Sequence, residues 1–118
     1  GEIMKKIALI LAMVLFFTVP VTTYAATREL DIFPDLVFNG TTATCEVTVL
    51  GDKTTDEIEV TMKLWRGSTC LNTWFDDGYG YVFMSKPATV IKGQTYRLTI
   101  DVVINGVSKP RVFIDGTC

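Results

Sequence analysis

Apolar side chains recur at every second position along three stretches of the chain. Ala43, Cys45, Val47 and Val49 alternate with Thr42, Thr44, Glu46 and Thr48. Ile58, Val60, Met62 and Leu64 alternate with Glu57, Glu59, Thr61 and Lys63. Tyr96, Leu98, Ile100, Val102 and Ile104 alternate with Thr95, Arg97, Thr99, Asp101 and Val103. Successive side chains of a strand point to opposite faces, so each stretch predicts a strand with one buried and one wet face. This is the pattern of an antiparallel sheet with one side in a core.

Turn chemistry falls between these stretches. Asn39-Gly40 ends a first strand running from about Leu30 to Phe38, and Gly51-Asp52 opens a loop. Arg66-Gly67-Ser68 predicts a tight reversal into a strand at Cys70–Phe75, and Asp76-Asp77-Gly78-Tyr79-Gly80 predicts another break. Asn105-Gly106 between apolar strands is the strongest hairpin signal, because both positions tolerate φ > 0. The last strand, Val107–Ile114, contains Lys109-Pro110-Arg111. Proline cannot donate to a ladder, so this segment predicts a sheet edge. About seven short antiparallel strands at this spacing predict an all-β sandwich of two sheets, with no helix beyond the N-terminal region.

That region differs in kind. Lys5 and Lys6 follow Met4, a 13-residue apolar stretch runs from Ile7 to Val19, and Pro20 ends it before the small and polar Thr22, Thr23, Ala25 and Ala26. A positive start, a short apolar middle and a small-residue cleavage site predict a secretory signal peptide. Thirteen helical residues reach only about 20 Å against roughly 30 Å of hydrocarbon, so no stable membrane span is expected after cleavage. Cutting after Ala25 places Thr23 and Ala25 at −3 and −1. Residues 1–25 are then upstream residues and leader, and residues 26–118 form one domain in a secreted, extracellular protein.

Those 93 residues carry nine Lys/Arg against twelve Asp/Glu. Their acidic balance argues against a nucleic-acid partner, which needs a basic face. There is no histidine in the chain. The usual general base, the commonest zinc ligand and the physiological pH switch are missing together. Cys45, Cys70 and Cys118 are the disulfide candidates, and an exported chain can pair two of them. Cys45–Cys70 closes a loop of about 25 residues, would add about 3 kcal/mol, and is favoured. Cys70–Cys118 would instead tie down the C-terminus, and an unpaired Cys118 could link a dimer.

The run Val90–Leu98, VIKGQTYRL, resembles the tyrosine corner of immunoglobulin and fibronectin III sandwiches. Tyr96 would then bond backward to the main chain and fix the passage between sheets. Four longer stretches, GTTATCEVTVLG (40–51), EIEVTMKLWRG (57–67), TWFDDGYG (73–80) and VIKGQTYRLTIDVVING (90–106), make the chain similar to a family of small secreted proteins of Firmicutes with no assigned activity. The resemblance implies an immunoglobulin-like fold and export, and carries over no catalytic residue. The charged SKPRVFID of the last strand departs from it.

Candidate chemistry is sparse. Asp76 and Asp77 beside two glycines, and Asp52, Asp56 and Glu57 in another loop, are oxygen-rich, but neither group has calcium-loop spacing, and no metal or cofactor is expected. Adjacent carboxylates are badly placed for glycoside hydrolysis. With no histidine to activate a thiol, a catalytic cysteine is not expected either. Asn39-Gly40-Thr41 is a glycosylation sequon, relevant only in a eukaryote. The aromatics are more informative. Trp65 falls on the wet face by parity, and Trp74, Phe75, Tyr79 and Tyr81 follow closely. Together they could form a surface that anchors a protein or stacks on a glycan; alternatively Trp74 is a core residue between the sheets. The sequence therefore predicts a secreted, non-catalytic binding or structural domain. Its partner would be an unknown protein or, alternatively, a carbohydrate, with a small hydrolase as the third and least supported reading.

Overall fold

The computed structural model describes residues 31–118. The leader, its cleavage after Ala25 and the domain start at Ala26 lie outside the described residues. Eight strands are found among those described: β1 (Ile32–Asn39), β2 (Thr42–Leu50), β3 (Glu57–Arg66), β4 (Thr69–Tyr79), β5 (Tyr81–Thr89), β6 (Thr95–Ile104), β7 (Val107–Ser108) and β8 (Val112–Thr117). They build two antiparallel sheets, one ordered β1-β2-β5 and one ordered β4-β3-β6 with β7 and β8 sharing the far side of β6.

Parity decides what lies between the sheets. Ala43, Cys45, Val47 and Val49 from β2 and Ile58, Val60, Met62 and Leu64 from β3 have no exposed surface. Tyr96, Leu98, Ile100 and Val102 from β6, Val82, Met84 and Ala88 from β5, Ile32 from β1 and Val90 after β5 complete the buried set. Burying each such aliphatic side chain contributes roughly 1.5–3 kcal/mol. The β2, β3 and β6 members are the inward sets that alternation predicts.

The hairpin turns follow their residues. Asn105 and Gly106 both have positive φ, 51° and 80°, as a type I′ turn requires. In the β1–β2 and β3–β4 turns only the first central residue, Gly40 or Gly67, has positive φ, which is the II′ pattern.

β1, Ile32–Asn39, agrees with the first strand expected at about Leu30 to Phe38, as far as the described residues reach. Two expectations are corrected. β4 does not break at Asp76; it runs to Tyr79, because Val60↔Asp76 and Ile58↔Gly78 continue the ladder, and only Gly80 interrupts the chain before β5. The last strand is not continuous. Residues 109–111 interrupt it, since Pro110 has no amide for the ladder, and β8 resumes at Val112. A register shift between Leu64 and Trp65 leaves Leu71 as the extra residue of a bulge in β4.

Candidate functional site

The five aromatics singled out from the sequence do not form one surface. Trp74 stands opposite the buried Met62 and packs against the core, because its parity on β4 is inward. Tyr81 lies on β5, in the other sheet from Trp65, Phe75 and Tyr79. Phe75 and Tyr79 are exposed on the outer face of the larger sheet, opposite Thr61 and Glu57. Trp65 shares that face but is half-buried, and four residues of β3, roughly 13 Å, separate it from the row of Phe75.

Trp65 is also held in place. Its indole N–H donates to Thr99 Oγ1 at 3.0 Å, and Lys63 Nζ lies 5.9 Å from its ring centroid. Thr99 points outward by parity yet is buried, since neighbouring side chains cover it. On the same face the Arg97 guanidinium stacks 4.0 Å from the Phe113 ring centroid and grips Asp115 with two hydrogen bonds, at 2.7 and 3.0 Å. Arg111 grips Asp101 likewise, both bonds at 2.8 Å. These hydrogen bonds hold the Asp115 and Asp101 carboxyls below their usual range. Both arginines are thus already committed to carboxylates, while Lys63 stands over the Trp65 ring.

The smaller sheet carries the apolar surface that the sequence reading missed. In one row across it, Phe33 of β1, Thr48 of β2 and Phe83 of β5 stand side by side. In the next, Leu50 stands beside Tyr81. Phe33 and Phe83 are each 47% exposed and Tyr81 55%, with Val37 of β1 at 51% on the same side. A signal was present: in Tyr81-Val82-Phe83-Met84 both parities are apolar. A half-buried strand with no polar face either is covered on both sides or shows apolar surface.

A polar hub sits at the end where the chain passes between sheets. Asp56 is buried and accepts hydrogen bonds from Asn105 Nδ2 and from the Lys53 amide, both at 3.0 Å. The Asn105 side-chain oxygen accepts from the Glu57 amide at 2.9 Å, and the Asp56 carbonyl accepts from the Gly80 amide at 2.8 Å. The Asn105 amide, then the Lys53 amide, hold the Asp56 carboxyl below its usual range. Asp56 is therefore occupied in tying the 51–56 loop to the β6–β7 turn. Asp76 and Asp77 are consecutive on a strand, so their carboxylates leave from opposite faces. Among the described residues, no three His, Cys, Asp or Glu side chains gather as a metal site.

No disulfide joins the cysteines; all three are free thiols. Cys45 is enclosed in the core, where burial pushes its thiol up to about 11, leaving it protonated and unreactive. Cys70 is exposed on β4, and Cys118 Sγ lies 3.3 Å from the Gly40 carbonyl oxygen. Tyr96 is buried, and its hydroxyl accepts the Ile91 amide at 2.7 Å. Among the described residues no helix is long and apolar enough to cross a membrane. No protein-family model matches the chain, and no curated protein matches it.

Proposed function

We propose that this chain is an exported, non-catalytic binding module with an immunoglobulin-like sandwich of the fibronectin III kind, and that its partner is another protein. Two features support the fold reading. The strand order β1-β2-β5 against β4-β3-β6-β8 differs from the immunoglobulin constant type in one respect: the fourth strand pairs with the third instead of joining the first sheet. The Tyr96–Ile91 hydrogen bond has the position and direction of a tyrosine corner. Export rests on the leader pattern of residues 4–25.

One observation carries the choice of a protein partner, namely the outward row Phe33–Thr48–Phe83 with Leu50 and Tyr81 beside it. An apolar patch on one sheet, rimmed by Glu46, Ser85 and Asp35, has the composition of a protein contact with a polar border. The glycan reading has less support, because Trp65, the best stacking ring, is half-buried and fixed by Thr99.

The test compares the wild type with Phe33→Ser/Phe83→Ser in cross-linking to the surface of the producing cells and on a glycan array. Loss of a discrete protein cross-link in the double variant, with no glycan bound, supports the proposal. Glycan binding abolished by Phe75→Ala or Trp65→Ala would replace it with the carbohydrate reading. The intact mass of protein recovered from the medium checks export and cleavage after Ala25.

A further inference from the structure

The sheet edges are unequally protected. β1 carries Pro34, β5 carries Lys86-Pro87, and the β7–β8 edge is interrupted by Lys109-Pro110-Arg111. Proline and lysine are ordinary devices against pairing with another chain. β4 has neither in its 11 residues, and its bulge at Leu71 and its Asp76-Asp77 pair leave the stretch Asn72–Phe75 between them without such a device; among the described residues β4 pairs with β3 alone.

The ladder fixes which of its backbone groups face outward. The Asn105 amide donates to the Glu57 carbonyl at 2.8 Å, so Glu57 turns its backbone groups toward β6. This direction alternates along an antiparallel strand. Ile58, Val60 and Met62 therefore turn theirs toward β4, opposite Gly78, Asp76 and Trp74. Thr73, Phe75 and Asp77 are left projecting N–H and C=O from the open side. The Asp77 amide agrees with this assignment: it donates to Asp76 Oδ1 at 2.8 Å and is capped locally.

We propose that β4 pairs antiparallel with β4 of a second copy of this chain, about a two-fold axis through Trp74, so that two five-stranded sheets become one. In this register Thr73 stands opposite the partner's Phe75, and Phe75 opposite the partner's Thr73. The two pairs exchange four backbone hydrogen bonds. Asn72 meets the partner's Asp76, an amide against a carboxylate, and each half-buried Trp74 meets its own mate. A two-fold contact requires such self-complementarity. Moving the axis to Phe75 would draw the capped Asp77 amide into the ladder. Moving it to Thr73 would draw in the bulged Leu71. Only the axis at Trp74 uses the two open residues and leaves both irregularities outside. This contact is separate from a Cys118 link and from the Phe33–Phe83 face.

The test uses the full chain with Cys70→Ser and Cys118→Ser, since Cys45 is enclosed in the core. Sedimentation equilibrium should give twice the mass of one chain. Phe75→Pro should return it to one chain with unchanged far-UV circular dichroism, because the amide it removes faces away from β3. Adding Asn72→Cys together with Asp76→Cys should give a covalent dimer on mild oxidation, at least tenfold faster than either single substitution. Residues four apart on one strand cannot bond within a chain, and across the proposed axis they form a close non-hydrogen-bonded pair. A one-chain mass up to about 1 mM, the weak end of specific association, would overturn the proposal. So would a dimer that survives Phe75→Pro, or single-cysteine variants that cross-link as fast as the double.

Discussion

The hydroxyl of Tyr96 lies 2.7 Å from the amide nitrogen of Ile91, five residues earlier, and accepts its hydrogen bond. Ile91 stands where the chain has left β5 in one sheet and has yet to start β6 in the other. The Tyr96 ring is buried and lies 6.0 Å from Phe38 of β1, centroid to centroid. One side chain thus joins the core to the crossover. Tyr96→Phe keeps the ring and removes only the acceptor. It should lower stability by about 1–2 kcal/mol without changing the spectrum of the folded state, read as a shift of the urea midpoint at constant slope.

Gly80 is the single residue between β4 and β5, and two constraints meet there. Its φ is +73°, and a Cβ would come within 2.8 Å of Thr54 Cα and 2.9 Å of the Thr54 carbonyl oxygen. Gly40 has a similar φ of +63° but nothing within 4 Å of a Cβ. Gly40→Ala should therefore show the backbone penalty alone, about 1–2 kcal/mol. Gly80→Ala should cost clearly more, because backbone atoms cannot move aside as a flexible side chain does. Equal losses in paired thermal melts would mean that the 51–56 loop yields freely.

Acid should weaken the fold partly through Asp56. Its carboxyl is held below its ordinary value of 3.8, first by the Asn105 side-chain amide and then by the Lys53 amide. The folded chain thus binds this proton less readily than the unfolded chain. The stability contributed is fully present above the ordinary aspartate range and disappears as pH falls through the depressed folded value. Asn105→Gly keeps a residue suited to positive φ and deletes the amide. The variant should be less stable at neutral pH and lose less on acidification below 3.8, so that at the acid extreme only the pH-independent loss of the Glu57 amide's bond to Asn105 Oδ1 separates it from the wild type. A constant offset at every pH would remove Asp56 from the explanation. Asp101 and Asp115, depressed by their arginines, keep their own acid dependence in both proteins.

The cysteines make a chemical prediction. With Cys45 enclosed and its thiol raised to about 11, alkylation of the native chain at neutral pH should label Cys70 quickly and leave Cys45 untouched until denaturant is added. Intact mass after labelling under denaturing conditions should show three alkyl groups. A count of one, with Cys45 and Cys70 unlabelled, would instead establish the disulfide that cysteine arithmetic suggests for an exported chain.

Local chemistry made much of the fold legible. The inward sets of β2, β3 and β6 follow from parity, and the Tyr96 contact was readable because its partner is five residues away. Parity carried no information in β1 and β5, where Phe33, Leu36 and Phe38, or Val82 and Phe83, are apolar on both sides. The doubly apolar run 81–84 signalled exposed or doubly covered apolar surface, but only register placed Phe33 and Phe83 on either side of Thr48 as one outward row. The Asp56–Asn105 bond joins residues 49 apart and has no sequence signature. Asp76-Asp77-Gly78 looked like a loop because Asp and Gly are poor strand formers, yet pairing with β3 overrode that preference.

Trp65 offers the sharpest separation of a structural role from a binding role. Its indole N–H is the partner of Thr99 Oγ1 at 3.0 Å, and Thr99 is buried on a face that parity would make wet. If this bond is what the pair contributes, Trp65→Phe and Thr99→Val should each lower stability by about 1 kcal/mol. The double variant should lose little more than the larger single loss, because the second substitution finds the bond already gone. Trp65→Phe preserves an aromatic ring in place and would leave any stacking on a ligand largely intact. A variant that kept full stability but lost binding would return Trp65 to the interaction surface. Additive losses would mean that tryptophan stabilises the sheet through its area alone.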